Sequence, residues 1–250
     1  GVEVEDGWIG VFKMENWDSS RDYEYRVLHP GGSEYRGTIK KDPVDKEEIV
    51  VAAFTGNGVK SVYGGDIPKT DIVENIRKIE PDLLFFSGDQ VYNHEHHYCY
   101  WLKFGRDFGS IIKDIPTVTI PDDHDVGQAN LWGEAGKKST QASGWDGGYY
   151  APVDYVNRAQ KAQTSHLPDP YDPEPVMRGI GVYYTSLTVG GISFAIIEDR
   201  KFKTTPRNKV PLLSFFRPDH VTKDNYNPEQ LDVPGAKLLG ERQLEFLEKW

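Results

Sequence analysis

Three apolar runs in this chain of 250 residues end in groups able to hold a cation or move a proton. IVVAAF, residues 49–54, is followed by Thr55, Gly56 and Asn57. DLLFFSGD ends at Gly88 and Asp89, and PTVTI leads into Asp122, Asp123, His124 and Asp125. In an open α/β sheet, ligands collect beyond the carboxyl ends of the strands, so these termini are expected to be neighbours in space. Asp89 follows a glycine that permits close backbone approach, and there it either ligates a metal ion or caps the next helix. Three carboxylates around one imidazole carry a charge that is costly unless cations, solvent or donors compensate it. Two hard divalent cations would do so, with carboxylate oxygens and an imidazole or amide around each; the plain alternative is a solvated turn with an Asp cap.

Other reactive side chains fall in weaker contexts. His94, His96 and His97 follow Tyr92 without a companion spacing motif and read either as ligands or as a solvated helix start. Glu198, Asp199 and Arg200 end the run SFAII, where Arg200 either binds an anionic group or neutralises carboxylates. His166 and His220 read as surface or supporting residues. Trp132, Trp145, Tyr149 and Tyr150 either cover a substrate or build a local core.

The elements that must position these groups follow from periodicity. DYEYRVLH and SEYRGTIKK, separated by Pro30-Gly31-Gly32, predict an antiparallel hairpin, which must lean on a larger body because a lone hairpin is marginal in water. Residues 42–48 read as a linker. IVVAAF and DLLFFSGD predict buried parallel strands. Between them TDIVENIRKI spaces Ile72, Val73, Ile76 and Ile79 at helical intervals, with Thr70 or Asp71 as cap. Trp101, Leu102, Phe104, Phe108, Ile111 and Ile112 supply a second helix face before the strand PTVTI, so the unit repeats and the architecture is layered α/β. Residues 127–179 are a long excursion containing the short helix AQKAQTSHL, and loops of that length are often functional. GVYYTSLTVGGISFAIIEDRKF predicts two strands around Gly190-Gly191. AKLLGERQLEFLEKW closes with a helix whose face carries Leu239, Leu244, Leu247 and Trp250.

Composition bounds the rest. Thirty-nine acids against 29 bases leave a net charge of −10, which argues against a general nucleic-acid surface. No run approaches the roughly 20 apolar residues of a membrane span, and no charged segment leads into an apolar one as in a targeting signal. Cys99 is the single cysteine, so no intramolecular disulfide or thiol-pair metal site forms, and it is expected to be a small buried hydrophobe.

GDQVY, PDDHDVGQANLWGE, FAIIEDRKFK and LLGERQLEFLEKW, in that order, resemble the alkaline phosphatase D group of the calcineurin-like metallophosphoesterases over residues 49–250. The resemblance implies an α/β fold, a metallophosphoesterase-like two-sheet sandwich flanked by helices, incomplete, with a short N-terminal β hairpin. It divides the chain into residues 1–48, an N-terminal β segment and linker, and residues 49–250, a metallophosphoesterase-like domain lacking its C-terminal part. It implies divalent metal ions, two of them, drawn from Ca, Mn, Zn or Fe, with Asp89, Tyr92, Asn57, Asp123 and Asn130 as ligands. Tyr92 would contribute a phenolate, and the amide that normally follows the DDHE segment, here DDHD, would come from Asn130, or from Gln128, which stands at about the family's place for it. His124 and Arg200 are the implied catalytic residues.

The implied activity is hydrolysis of small-molecule phosphate mono- or diesters by water activated at the ions, in a periplasmic or secreted setting. Two departures support an alternative, a catalytically incomplete binding or structural module. Thr55-Gly56-Asn57 stands where the family has Ser-Cys, and the strand and Asp/His motif that follow the LLGxRQ helix in the family lie beyond Trp250. On the same reading, the missing C-terminal part of a longer chain would be a partner of this one.

Overall fold

The computed structural model describes residues 2–4, 7–58, 66–207, 209, 229 and 232–250; His220 lies outside the described residues. Its first elements are antiparallel, β1 (Val2–Val4) with β2 (Gly7–Ile9) and β3 (Tyr23–Leu28) with β4 (Glu34–Ile39). The second pair is the expected hairpin, and it does lean on the body of the protein. The Tyr25 hydroxyl donates to the Lys113 carbonyl at 3.0 Å and the Thr38 N–H donates to the Asp114 carboxylate at 2.9 Å.

The chain then runs through β5 (Val51–Phe54), α1 (Thr70–Ile79), β6 (Leu83–Phe86), α2 (His97–Ile112) and β7 (Thr117–Thr119), giving a parallel sheet in the order β5-β6-β7. The excursion contributes α3 (Val153–Thr164) before the hairpin β8 (Thr185–Val189) and β9 (Ile192–Ile196), and α4 (Glu241–Lys249) ends the chain. Because successive strand residues face opposite sides, β6 serves two cores at once. Leu84 and Phe86 pack with Val73 and Ile76 of α1 and Phe104, Phe108 and Ile111 of α2, while Leu83 and Phe85 pack with Val118, Leu187, Phe194 and Ile196. The outer face of the hairpin, through Ala195, meets Tyr184, Phe202 and Phe246 of α4. Helices, sheet, hairpin and helix thus stack as a metallophosphoesterase-like sandwich. Each fully buried side chain of this kind contributes roughly 1.5–3 kcal/mol, and Phe86 adds edge contacts to Phe104 and Phe108 with centroids 5.0 and 5.2 Å apart.

Several details differ from the sequence-based expectation. β5 is an edge strand of the sheet, and Val50 and Val51 at its start are exposed rather than buried. Ile72 and Ile79 also face solvent, because one stripe of α1, Val73 and Ile76, is enough to meet the sheet. The residue capping α1 is Lys69, without a side-chain capping bond; its ammonium instead donates to the Gly58 carbonyl at 2.6 Å. Cys99 is exposed. The helix of the excursion begins earlier, at Val153, and buries Gln160 and Gln163 beside Ala159 and Ala162. α4 starts only after Gly240, whose φ of 75° suits glycine, and it buries Gln243 and Phe246 while Leu244 and Trp250 stay exposed.

Candidate metal centre

The three strand ends meet beyond the carboxyl edge of the sheet. The first and second are joined by backbone, Gly56 N–H donating to the Gly88 carbonyl at 3.3 Å and Asn57 N–H to the Asp89 carbonyl at 2.7 Å. The second and third touch at Gly88, where φ is 120° and an added Cβ would overlap the Cβ of Asp122. Asp125 then draws these ends together. Fully buried, its carboxylate accepts the N–H groups of Asp89 at 2.6 Å, Val91 at 2.8 Å and Asp122 at 2.9 Å, and the Gln163 amide at 2.8 Å. Burial pushes its carboxyl up to about 7, against the pull of those donors.

On this frame Asp89, Asp123 and His124 each present a ligand atom, all within 4.8 Å of one another. Asp89, held at φ 59°, accepts the Tyr92 hydroxyl at 2.9 Å and faces the His124 N–H at 3.4 Å. Burial first, then the charges of Asp123 and Asp122, push its carboxyl up to about 6. Burial and the bond to Asp89 push the Tyr92 phenol above its usual range. Asp123 is buried and accepts the backbone N–H of Asn130, and the ring of His124 lies 4.4 Å from that of Tyr92. A set of carboxylates, a phenol and an imidazole, carrying more negative charge than its surroundings neutralise, fits a divalent cation.

The other expected residues are placed as follows. Asn57 sits at the edge of the cluster with its amide N donating to the Gln90 carbonyl at 3.4 Å. Asn130 reaches Asp123 through its backbone, while Gln128 spends both ends of its amide on the excursion, at the Gly148 carbonyl and the Tyr150 N–H. Arg200 grips Asp122 with Nε and Nη2, at 2.6 and 3.4 Å, and Nη2 lies 3.9 Å from Asp123. Trp132 and Tyr149 are buried, Tyr149 in the excursion's own core, whereas Tyr150 is exposed.

Residues outside the expected ligand set also belong here. His94 Nε2 stands 2.9 Å from His124 Nδ1. His97 is buried, its imidazole pushed down to about 4 by burial, beside Gln163. Gln90 donates to Gln163 at 3.0 Å, so a buried polar network backs Asp125. Its trace in the sequence is Gln163, a polar residue on the face of α3 that also carries Ala159 and Ala162.

No protein-family profile and no curated protein sequence matches the chain. A solved structure of PhoD aligns with 92% of it at 18% identity and a TM-score of 0.56, and the chain spans 44% of that protein's length. The structure of purple acid phosphatase PPD1 isolated from yellow lupin (Lupinus luteus) seeds aligns with 80% of this chain and 33% of its own, at 18% identity and a TM-score of 0.47. At such identity the likeness to PhoD is one of fold. Among the described residues no helix is long and apolar enough to cross a membrane.

Proposed function

We propose that residues 49–250 form the metal-binding body of a phosphoester hydrolase, with residues 1–48 as an N-terminal β segment and linker. The convergence of Asp89, Asp123 and His124 at two adjacent strand ends carries this reading. Asp89, Tyr92, Asp123, Asn57 and Asn130 would hold the divalent cations, two of them and of the Ca, Mn, Zn or Fe type, and the chemistry these would supply is activation of water and offsetting of charge on a phosphate mono- or diester. His124, whose Nδ1 faces His94 at 2.9 Å, is read as the group that directs a hydrogen bond or a proton to the leaving oxygen from Nε2 rather than as a third ligand. Arg200 serves the reaction by holding Asp122, and through it the Asp123-His124 segment, in register with Asp89.

The tripeptide Thr55-Gly56-Asn57, which offers no thiolate, favours a second reading, a metal-binding scaffold without turnover. Loading the chain with manganese(II), measuring bound metal, and assaying para-nitrophenyl phosphate and its bis ester separates the two. Bound metal with hydrolysis, both lost in Asp89→Ala, is the expected result. Bound metal with no hydrolysis selects the scaffold. An Asp89→Ala chain as metallated and active as the parent overturns both readings.

A further inference from the structure

Beside the metal centre opens a cleft of about 560 Å³ whose wall includes His94, Glu95, Asn130, Trp145, Tyr150 and Tyr155. It begins where the candidate ligands end. His94 is 2.9 Å from His124, and Asn130 donates its backbone N–H to Asp123, so two residues of the wall touch two members of the metal-binding trio. Resting on the function proposed above, we propose that this cleft receives the alcohol portion of the ester and selects an uncharged, ring-bearing one.

The charge of the wall supports that occupant. Among the described residues no lysine or arginine lines the cleft, its one acid is Glu95, and the nearby Arg207 guanidinium is engaged by the Trp145 ring and the Gln141 side chain, so the wall is built for an uncharged group. The phosphate belongs at the cations and the cleft to what the phosphate carries. Aromatic faces with a few polar groups bind flat rings by stacking and exclusion of water.

The backbone that carries these rings is also fixed before any ligand arrives. Tyr150 is 58% exposed although its neighbour Tyr149 is fully buried, and its backbone N–H donates to the side-chain amide oxygen of Gln128 at 2.7 Å. Trp145 carries the Arg207 guanidinium 5.4 Å from its ring centroid, and its carbonyl accepts the Thr205 hydroxyl at 2.9 Å. The next residue, Asp146, accepts the Ser139 hydroxyl and both the N–H and the hydroxyl of Thr140. The Tyr155 hydroxyl donates to the Asn93 carbonyl at 3.4 Å. A ring left in water on a fixed backbone adds nothing to the core and loses little freedom when a ligand covers it.

Benzylphosphonate and ethylphosphonate test this by titration calorimetry on the manganese-loaded chain, since both place one phosphonate at the cations and only one carries a ring. Benzylphosphonate is expected to bind about tenfold more tightly. Tyr150→Ala should reduce that ratio to about threefold or less, and Tyr150→Phe should keep it. Equal affinities in the parent chain, or a ratio that Tyr150→Ala leaves intact, overturn the subsite while the hydrolase reading stands. Failure of both phosphonates to bind a chain that has taken up manganese overturns the hydrolase reading and the subsite with it.

Discussion

The carboxylate of Asp125 accepts the backbone N–H of Asp89 at 2.6 Å, so the last acid of the DDHD run holds the turn that follows β6. Asp89 needs such a partner because its φ of 59° lies in the left-handed region, which non-glycine residues enter at a cost. The same carboxylate binds Val91, Asp122 and Gln163, and thus sets the spacing between Asp89 and the Asp123-His124 pair.

Asp125→Ala leaves three backbone N–H groups and one amide buried without an acceptor. Stability of the metal-free chain is expected to fall by about 4 kcal/mol. Asp125→Asn keeps one acceptor oxygen and turns the other into a donor facing donors, and should cost roughly half as much. Urea unfolding with far-UV detection measures both. A loss under about 1 kcal/mol in Asp125→Ala would show that water replaces the carboxylate.

Gly88→Ala tests the close approach of the second and third strand ends. The new methyl would occupy the space of the Asp122 Cβ, and φ of 120° disfavours any side chain there. Thermal stability should fall by the equivalent of about 3 kcal/mol, with manganese binding weakened because Asp122 must move. A variant that keeps both properties would mean that the DDHD segment shifts freely.

How much of this was readable in the residues divides along physical lines. The strand ends were, because continuous apolar runs stopped by Gly and Asp mark a buried strand and its exit. The hairpins around Gly32 and Gly190-Gly191 were too, since turn chemistry is local. The exposure of Ile72, Ile79 and Leu244 was not, because periodicity identifies an apolar stripe but not how wide a stripe the neighbouring layer covers. Nor was the role of Asp125. Its partners Asp89, Val91 and Gln163 lie 34 to 38 residues away; the pairing of β6 with β7 brings the first two to it and the packing of α3 brings the third. His94 had no spacing motif to single it out, and its place beside His124 comes from the turn at Asn93, whose side chain accepts the N–H groups of Glu95 and His96.

Arg200 is expected to govern metal affinity without touching metal. Its fork binds both oxygens of Asp122, and Nη1 donates to the Leu131 carbonyl at 3.3 Å, a geometry that one ammonium does not reproduce. Arg200→Ala should weaken manganese binding by about 10- to 100-fold, and Arg200→Lys should recover only part of that loss. Calorimetry on the three chains decides the matter. Parent affinity in Arg200→Ala would show that backbone contacts alone hold Asp122.

Glu198 should make stability depend on pH from outside the metal centre. It is fully buried, with Oε2 accepting the Tyr183 N–H at 3.2 Å and Oε1 without a hydrogen-bond partner among the described residues. Lys201, also buried, gives its ammonium to Gln160 at 2.7 Å. Burial therefore pushes the Glu198 carboxyl from 4.5 up to about 7, with the Lys201 charge opposing. The folded chain binds this proton more tightly than the unfolded chain. The resulting stabilisation is fully present below pH 4.5 and is lost as pH rises through about 7. Glu198→Gln, which has no proton to lose, should gain on the parent by about 3 kcal/mol between those limits. Urea unfolding of both chains across that range, taken as a difference so that the other carboxylates cancel, measures it. A flat difference would mean that Glu198 stays ionised in the folded chain, held by Lys201 at no net cost.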